Sequence, residues 1–145
     1  MAALSKMPTP TEKNAGREVE RLSRVTRAMR HADVDALVCA LPTNVLMLCG
    51  YWPVVGTALA VTTGERTVVV APSDERNLAE HGWAADLLLF EPGSLHSLTD
   101  VMDVVAKPLA AAMRDVGVTR GRIGFEFTDA VTPASGAGTA PPTNT

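Results

Sequence analysis

The sequence predicts an α/β protein: a three-layer mixed β-sheet with helices on both faces and one antiparallel hairpin inserted in it. Three observations carry this expectation. Ala36 to Leu41 and Val68-Val69-Val70 are unbroken apolar runs without the alternation of a strand that has one wet face, so each suits a strand covered on both sides. Segments with apolar residues at helical spacing lie between the strand-like runs, and strands alternating with helices imply a sheet covered on both faces. The exception is the pair Thr57 to Thr63 and Arg66 to Ala71, whose link Thr63-Gly64-Glu65 is too short for a crossover and therefore predicts a hairpin.

Residues 1–16 are polar, contain proline and lack the apolar core of a signal peptide, which predicts a flexible leader. From Arg17 to His31, Val19, Leu22, Val25 or Thr26, and Met29 recur at helical spacing, with five arginines on the rest of the circumference. The arginines read as the solvated side of an amphipathic helix, laced by Glu18 to Arg21 and Glu20 to Arg24 pairs. Asp33 and Asp35 flank the start of the first strand, where turn preference accounts for them. Pro42 ends that strand at Leu41. Thr43 or Asn44 then caps a short helix bearing Val45, Leu46, Leu48 and Cys49, which Gly50 terminates. Tyr51-Trp52 follows, closed by Pro53, and adjacent aromatics cannot easily both face one core, so at least one should be exposed.

Beyond the hairpin, Pro72 stops the second strand and Ser73 is placed to cap a short helix reaching His81, with Asp74 and Glu75 favourably set against its dipole. Leu87 to Phe90 reads as another buried strand, closed by Pro92-Gly93. Ser97-Leu-Thr-Asp100 has capping-box spacing ahead of an apolar helical face, and Pro108 predicts a kink or break within that helix before Gly117 ends it. Arg122 to Phe127 alternates as a half-buried strand near a sheet edge. Residues 128–145 contain scarcely a large apolar side chain, which predicts a disordered tail or linker.

Composition restricts function. With 145 residues, 46% hydrophobic and 20% charged, the chain has room for one domain with a real core and no second one. A net charge of -3 supplies no basic footprint for nucleic acid, and no apolar run approaches the ~20 residues that span a bilayer. Cys39 and Cys49 sit in apolar surroundings without redox spacing and read as reduced, buried thiols, in keeping with a cytoplasmic protein. His31, His81 and His96 have no partners at metal-ligand spacing, and Asp100 and Asp103 are explained by a helix start. No nucleophile elbow, phosphate loop or dinucleotide fingerprint stands between a strand and a helix.

The order of an Arg-rich helix, then "DVDALVCALPTNVLMLCGYW", then "TALAVTTGERTVVVAP" resembles the N-terminal domain of the creatinase and Xaa-Pro peptidase family, over about Arg17 to Glu126. The resemblance implies a domain over residues 17–127 that does not itself catalyse. In such enzymes it contributes to dimerisation and closes the substrate pocket, while a following domain supplies carboxylates and a histidine to a dinuclear divalent metal site. No cofactor is then expected on this chain, and the tail would lead toward that absent catalytic domain. The expected partners are a second copy or a C-terminal metallohydrolase domain, with neither nucleic acid nor membrane. By position, Asn44, Tyr51 and Trp52 match the segment nearest the substrate pocket. A stand-alone module with the same fold, binding a protein or peptide, is the alternative.

Overall fold

A computed structural model describes residues 10–54, 57–94, 96–97 and 99–126, with side chains from residue 16 onward. The elements run α1 (Pro10–Ala32), β1 (Ala36–Cys39), α2 (Pro42–Cys49), β2 (Leu59–Thr62), β3 (Thr67–Pro72), a 3-10 turn (Ser73–Glu75), α3 (Arg76–Glu80), β4 (Asp86–Phe90), α4 (Val101–Asp115) and β5 (Ile123–Phe125). The first helix thus begins at Pro10, seven residues before the expected start at Arg17. The expected tail lies outside the described residues.

One mixed sheet has the order β4-β3-β2-β1-β5. The β2–β3 hairpin and the β1–β2 pair are antiparallel, whereas β3–β4 and β1–β5 are parallel. Strand alternation divides the core into two layers. Cys39, Ala60, Val69 and Ala71 face α1, α2 and α3, meeting Val25, Met29, Val45, Leu48 and Ala79. Val38, Leu59, Val61, Val68 and Val70 face the other way, onto Val105 and Ala112 of α4. Val68, Val69 and Val70 are all buried because each face of β3 has its own helical cover.

Some local expectations change. Leu87 to Phe90 forms the edge strand β4 and is half-buried along its whole length, since β3 flanks it on one side only. α4 runs unbroken through Pro108. Its N-cap is Asp100, whose carboxylate accepts from the Met102 amide at 2.8 Å, so Ser97 takes no part in a capping box. Gly117, at φ 81°, ends the helix as expected, with Val118 N–H donating to Met113 C=O and Gly117 N–H to Arg114 C=O. Asp33 closes α1 in the same way despite its side chain, at φ 53°. Its carboxylate pairs with Arg122, and Asp35 accepts from the Arg122 amide at 2.8 Å, so the two aspartates hold the start of β5 against β1.

Candidate functional site

The segment after β1 was expected to carry the site, and its placement follows from three anchors. At the first, Leu41 is the N-cap of α2 and Pro42 opens the helix, so neither Thr43 nor Asn44 caps it. Asn44 instead donates through its side-chain amide to Glu126, whose other carboxylate oxygen accepts from the Ala40 and Leu41 amides at 2.6 and 2.7 Å. One carboxylate after β5 therefore fastens the turn from β1 into α2. Nearby Cys39 has its thiol pushed up to about 12, by burial first and by the Glu126 charge second.

The second anchor is the far end of α2. Gly50 adopts φ 75° and its amide reaches Leu46 C=O at 2.8 Å. Only a residue without Cβ fits there, because a Cβ would lie 2.2 Å from the ring of Trp83. Trp83 donates its backbone N–H to Cys49 C=O at 2.7 Å and its indole N–H to Leu48 C=O at 3.2 Å, satisfying two carbonyls at the helix end. Sequence reasoning missed Trp83, whose partners are remote in the chain.

The third anchor is Glu75, buried behind the loop at 5% exposure. It accepts from the Tyr51 hydroxyl at 2.5 Å and from the Val54 amide at 3.0 Å through the same oxygen. Tyr51 is 1% exposed, and burial, reinforced by Glu75, holds its hydroxyl proton far above the usual range. Residues 51–54 then alternate inward and outward: Tyr51 and Pro53 are buried, while Trp52 and Val54 are 49% and 64% exposed. Of the three residues named from the sequence, Asn44 is tied to Glu126, Tyr51 forms the footing of the loop, and Trp52 alone presents a large apolar surface to solvent. The expectation that one of the two aromatics would be exposed holds.

Among the described residues no group of His, Cys, Asp or Glu could hold a metal ion, and no helix is long and apolar enough to cross a membrane. Both cysteines are free and buried. On the α4 side of the sheet, Val38, Leu59, Val105, Leu109 and Phe125 line an apolar cavity of about 480 Å³. Phe125 and Met102 at this cavity are 62% and 67% exposed.

These features define a three-layer α/β domain in which an aromatic loop, tied to Glu75 through Tyr51 and Val54, exposes Trp52. The chain belongs to the Creatinase/Prolidase N-terminal domain family, matching it over residues 21–137. Solved structures share the fold. A dipeptidase from Pyrococcus horikoshii OT3 superposes with a TM-score of 0.56 at 18% identity, covering 77% of this chain and 29% of that one. The N-terminal domain of Xaa-Pro dipeptidase from Lactobacillus brevis gives 0.51 at 14% identity, covering 73% of this chain and 75% of that domain. Xaa-Pro dipeptidase from Bacillus anthracis gives 0.50 at 12% identity, covering 77% and 27%. The chain thus spans less than a third of the two full-length dipeptidases and most of the isolated domain. Comparison with curated protein sequences found no match.

Proposed function

We propose that the chain serves as the non-catalytic N-terminal domain of a metal-dependent Xaa-Pro peptidase or creatinase-type hydrolase, helping two subunits dimerise and closing the substrate pocket. Family membership supports the setting, and the presentation of Trp52 is the observation that carries the role. A single exposed apolar side chain is ordinary, but Trp52 is exposed together with Val54 on one anchored loop. Here the loop that bears it is tied at Tyr51 and Val54 to one buried carboxylate, so the backbone carrying the ring is anchored without a partner. In this reading Tyr51 and Asn44 position the loop, and Trp52 faces the pocket of the catalytic domain.

The test joins the domain to a metallohydrolase domain of the family and compares Trp52→Ala with the parent. The isolated variant should remain folded, losing less than ~1.5 kcal/mol, while the assembled enzyme should lose about tenfold in kcat/KM toward an Xaa-Pro dipeptide. Unfolding of the isolated variant together with unchanged kinetics of the assembled enzyme would show that the loop only packs. The second reading, a stand-alone module binding a protein or peptide, draws on the exposed Met102 and Phe125 beside the apolar cavity. Retention of a peptide ligand by the isolated domain, lost on Phe125→Ser, would favour it.

A further inference from the structure

Two of the five arginines that the helical pattern assigns to solvent share one cleft. Arg17 and Arg21, one turn apart on α1, line a cleft of about 420 Å³ with Glu18, Leu46, His81 and Trp83. The Arg21 guanidinium lies over the Trp83 ring, 5.2 Å from its centroid. Trp83 is fixed by its two hydrogen bonds to the end of α2, and His81 is fixed through Nδ1, 2.5 Å from Asn77 C=O, which leaves Nε2 for another partner. Among the described residues neither guanidinium has a carboxylate within ion-pair distance, and Glu18, although it lines the same cleft, pairs with neither.

We propose that this cleft binds an oxyanion carried on a flat apolar body, namely a carboxylate or phosphate attached to an aromatic ring. Guanidinium forks match the geometry of carboxylate and phosphate oxygens, and two of them one turn apart can grip one such group. The indole and Leu46 supply apolar surface beside the charge, and the volume lies in the range of small-molecule sites. Glu18 opposes the anion and sets the affinity below what two arginines alone would give. The cleft shares Trp83 with the end of α2 that leads into the Trp52 loop, but its proposed ligand does not rest on the role proposed for Trp52.

Trp83 is its own reporter. In the full chain carrying Trp52→Phe, which leaves Trp83 as the only tryptophan, emission is followed during titration with benzoate, phenyl phosphate and inorganic phosphate. Saturable quenching by a phenyl-bearing anion with Kd of about 1 mM or tighter is expected, weakening as salt is added. The tighter of benzoate and phenyl phosphate identifies the natural headgroup. Arg17→Gln with Arg21→Gln should weaken binding by about tenfold or more, and Glu18→Gln should tighten it. The proposal is overturned by an unchanged Kd in the double variant, by weaker binding in Glu18→Gln, or by no saturation up to about 10 mM. Equal affinity for inorganic and phenyl phosphate would overturn the apolar part of the recognition.

Discussion

Tyr51→Phe tests whether the buried hydroxyl–carboxylate bond holds the loop. The substitution keeps the ring and opens no space for a large cavity, so its cost is that of the bond alone. A hydrogen bond to a charged group contributes about 1.5–3 kcal/mol. Glu75 keeps the Val54 amide at 3.0 Å, which limits the damage, and we expect a loss of ~2 kcal/mol at neutral pH. At roughly 4 °C for each kcal/mol in a chain of this size, the midpoint should fall by ~8 °C. The pH dependence supplies a second readout. Tyr51, the single tyrosine, holds its proton more tightly in the native state than the usual value of 10.0. Its contribution is therefore complete below that pH and declines as pH rises beyond it, when the unfolded chain ionises first. The gap between parent and variant, measured by urea unfolding followed by circular dichroism, should narrow above pH 10 by up to ~1.4 kcal/mol per unit. A neutral-pH loss below ~0.5 kcal/mol, or a gap that stays constant into alkali, would refute the reasoning.

Gly50→Ala should cost ~2–5 kcal/mol, combining left-handed strain with the clash against Trp83, whereas Gly117→Ala, also left-handed but with nothing within 4 Å, should cost only ~1–2 kcal/mol; equal losses in denaturant would contradict the Trp83 contact. Leu48→Ala, at 1% exposure, should lose ~3 kcal/mol and Leu88→Ala on the half-buried edge strand ~1–2 kcal/mol, and the reverse order in chemical denaturation would place β4 in the centre of the sheet. Cys39 and Cys49, pushed up to about 12 and about 11 chiefly by burial, should resist thiol reagents at pH 8 until the chain opens, so labelling faster than global unfolding would show them accessible. Because both native values stand above the usual 9.0, stability is retained up to that pH and lost as pH rises toward them, a decline that Cys49→Ala should reduce.

The layers of the fold were legible because they follow from local pattern. Three consecutive valines cannot sit in a strand with a wet face, and Thr63-Gly64-Glu65 leaves room only for a hairpin. Strand order is not local. Leu87-Leu88-Leu89-Phe90 has the composition of a central strand, yet β4 lies at the edge, and its leucines are shielded by helices on both faces while one flank stays open. The caps were misassigned for a related reason: Thr43, Ser73 and Ser97 have suitable side chains, but Pro42 sets the start of α2 and Asp100 starts α4 one turn late. The site was half visible. Gly-Tyr-Trp-Pro announced a stiff aromatic loop, but the residues that hold it, Glu75, Trp83 and Glu126, act across 21 to 86 positions and leave no spacing signature. From the sequence Glu75 reads only as favourably set against a helix dipole, a role any acidic residue near a helix start could fill.

The clamp made by Glu126 has a consequence for how the protein is made. Its partners at Ala40, Leu41 and Asn44 leave the ribosome more than 80 residues earlier, a delay of roughly 4–17 s at ordinary elongation rates. During that interval β1 can pair only with β2, its other flank unfilled and able to recruit a foreign strand. The start of α2 meanwhile lacks the carboxylate that gathers its amides. The clamp on the start of α2 thus waits for β5, and a chaperone that shields β1 until β5 emerges would act while that flank is open.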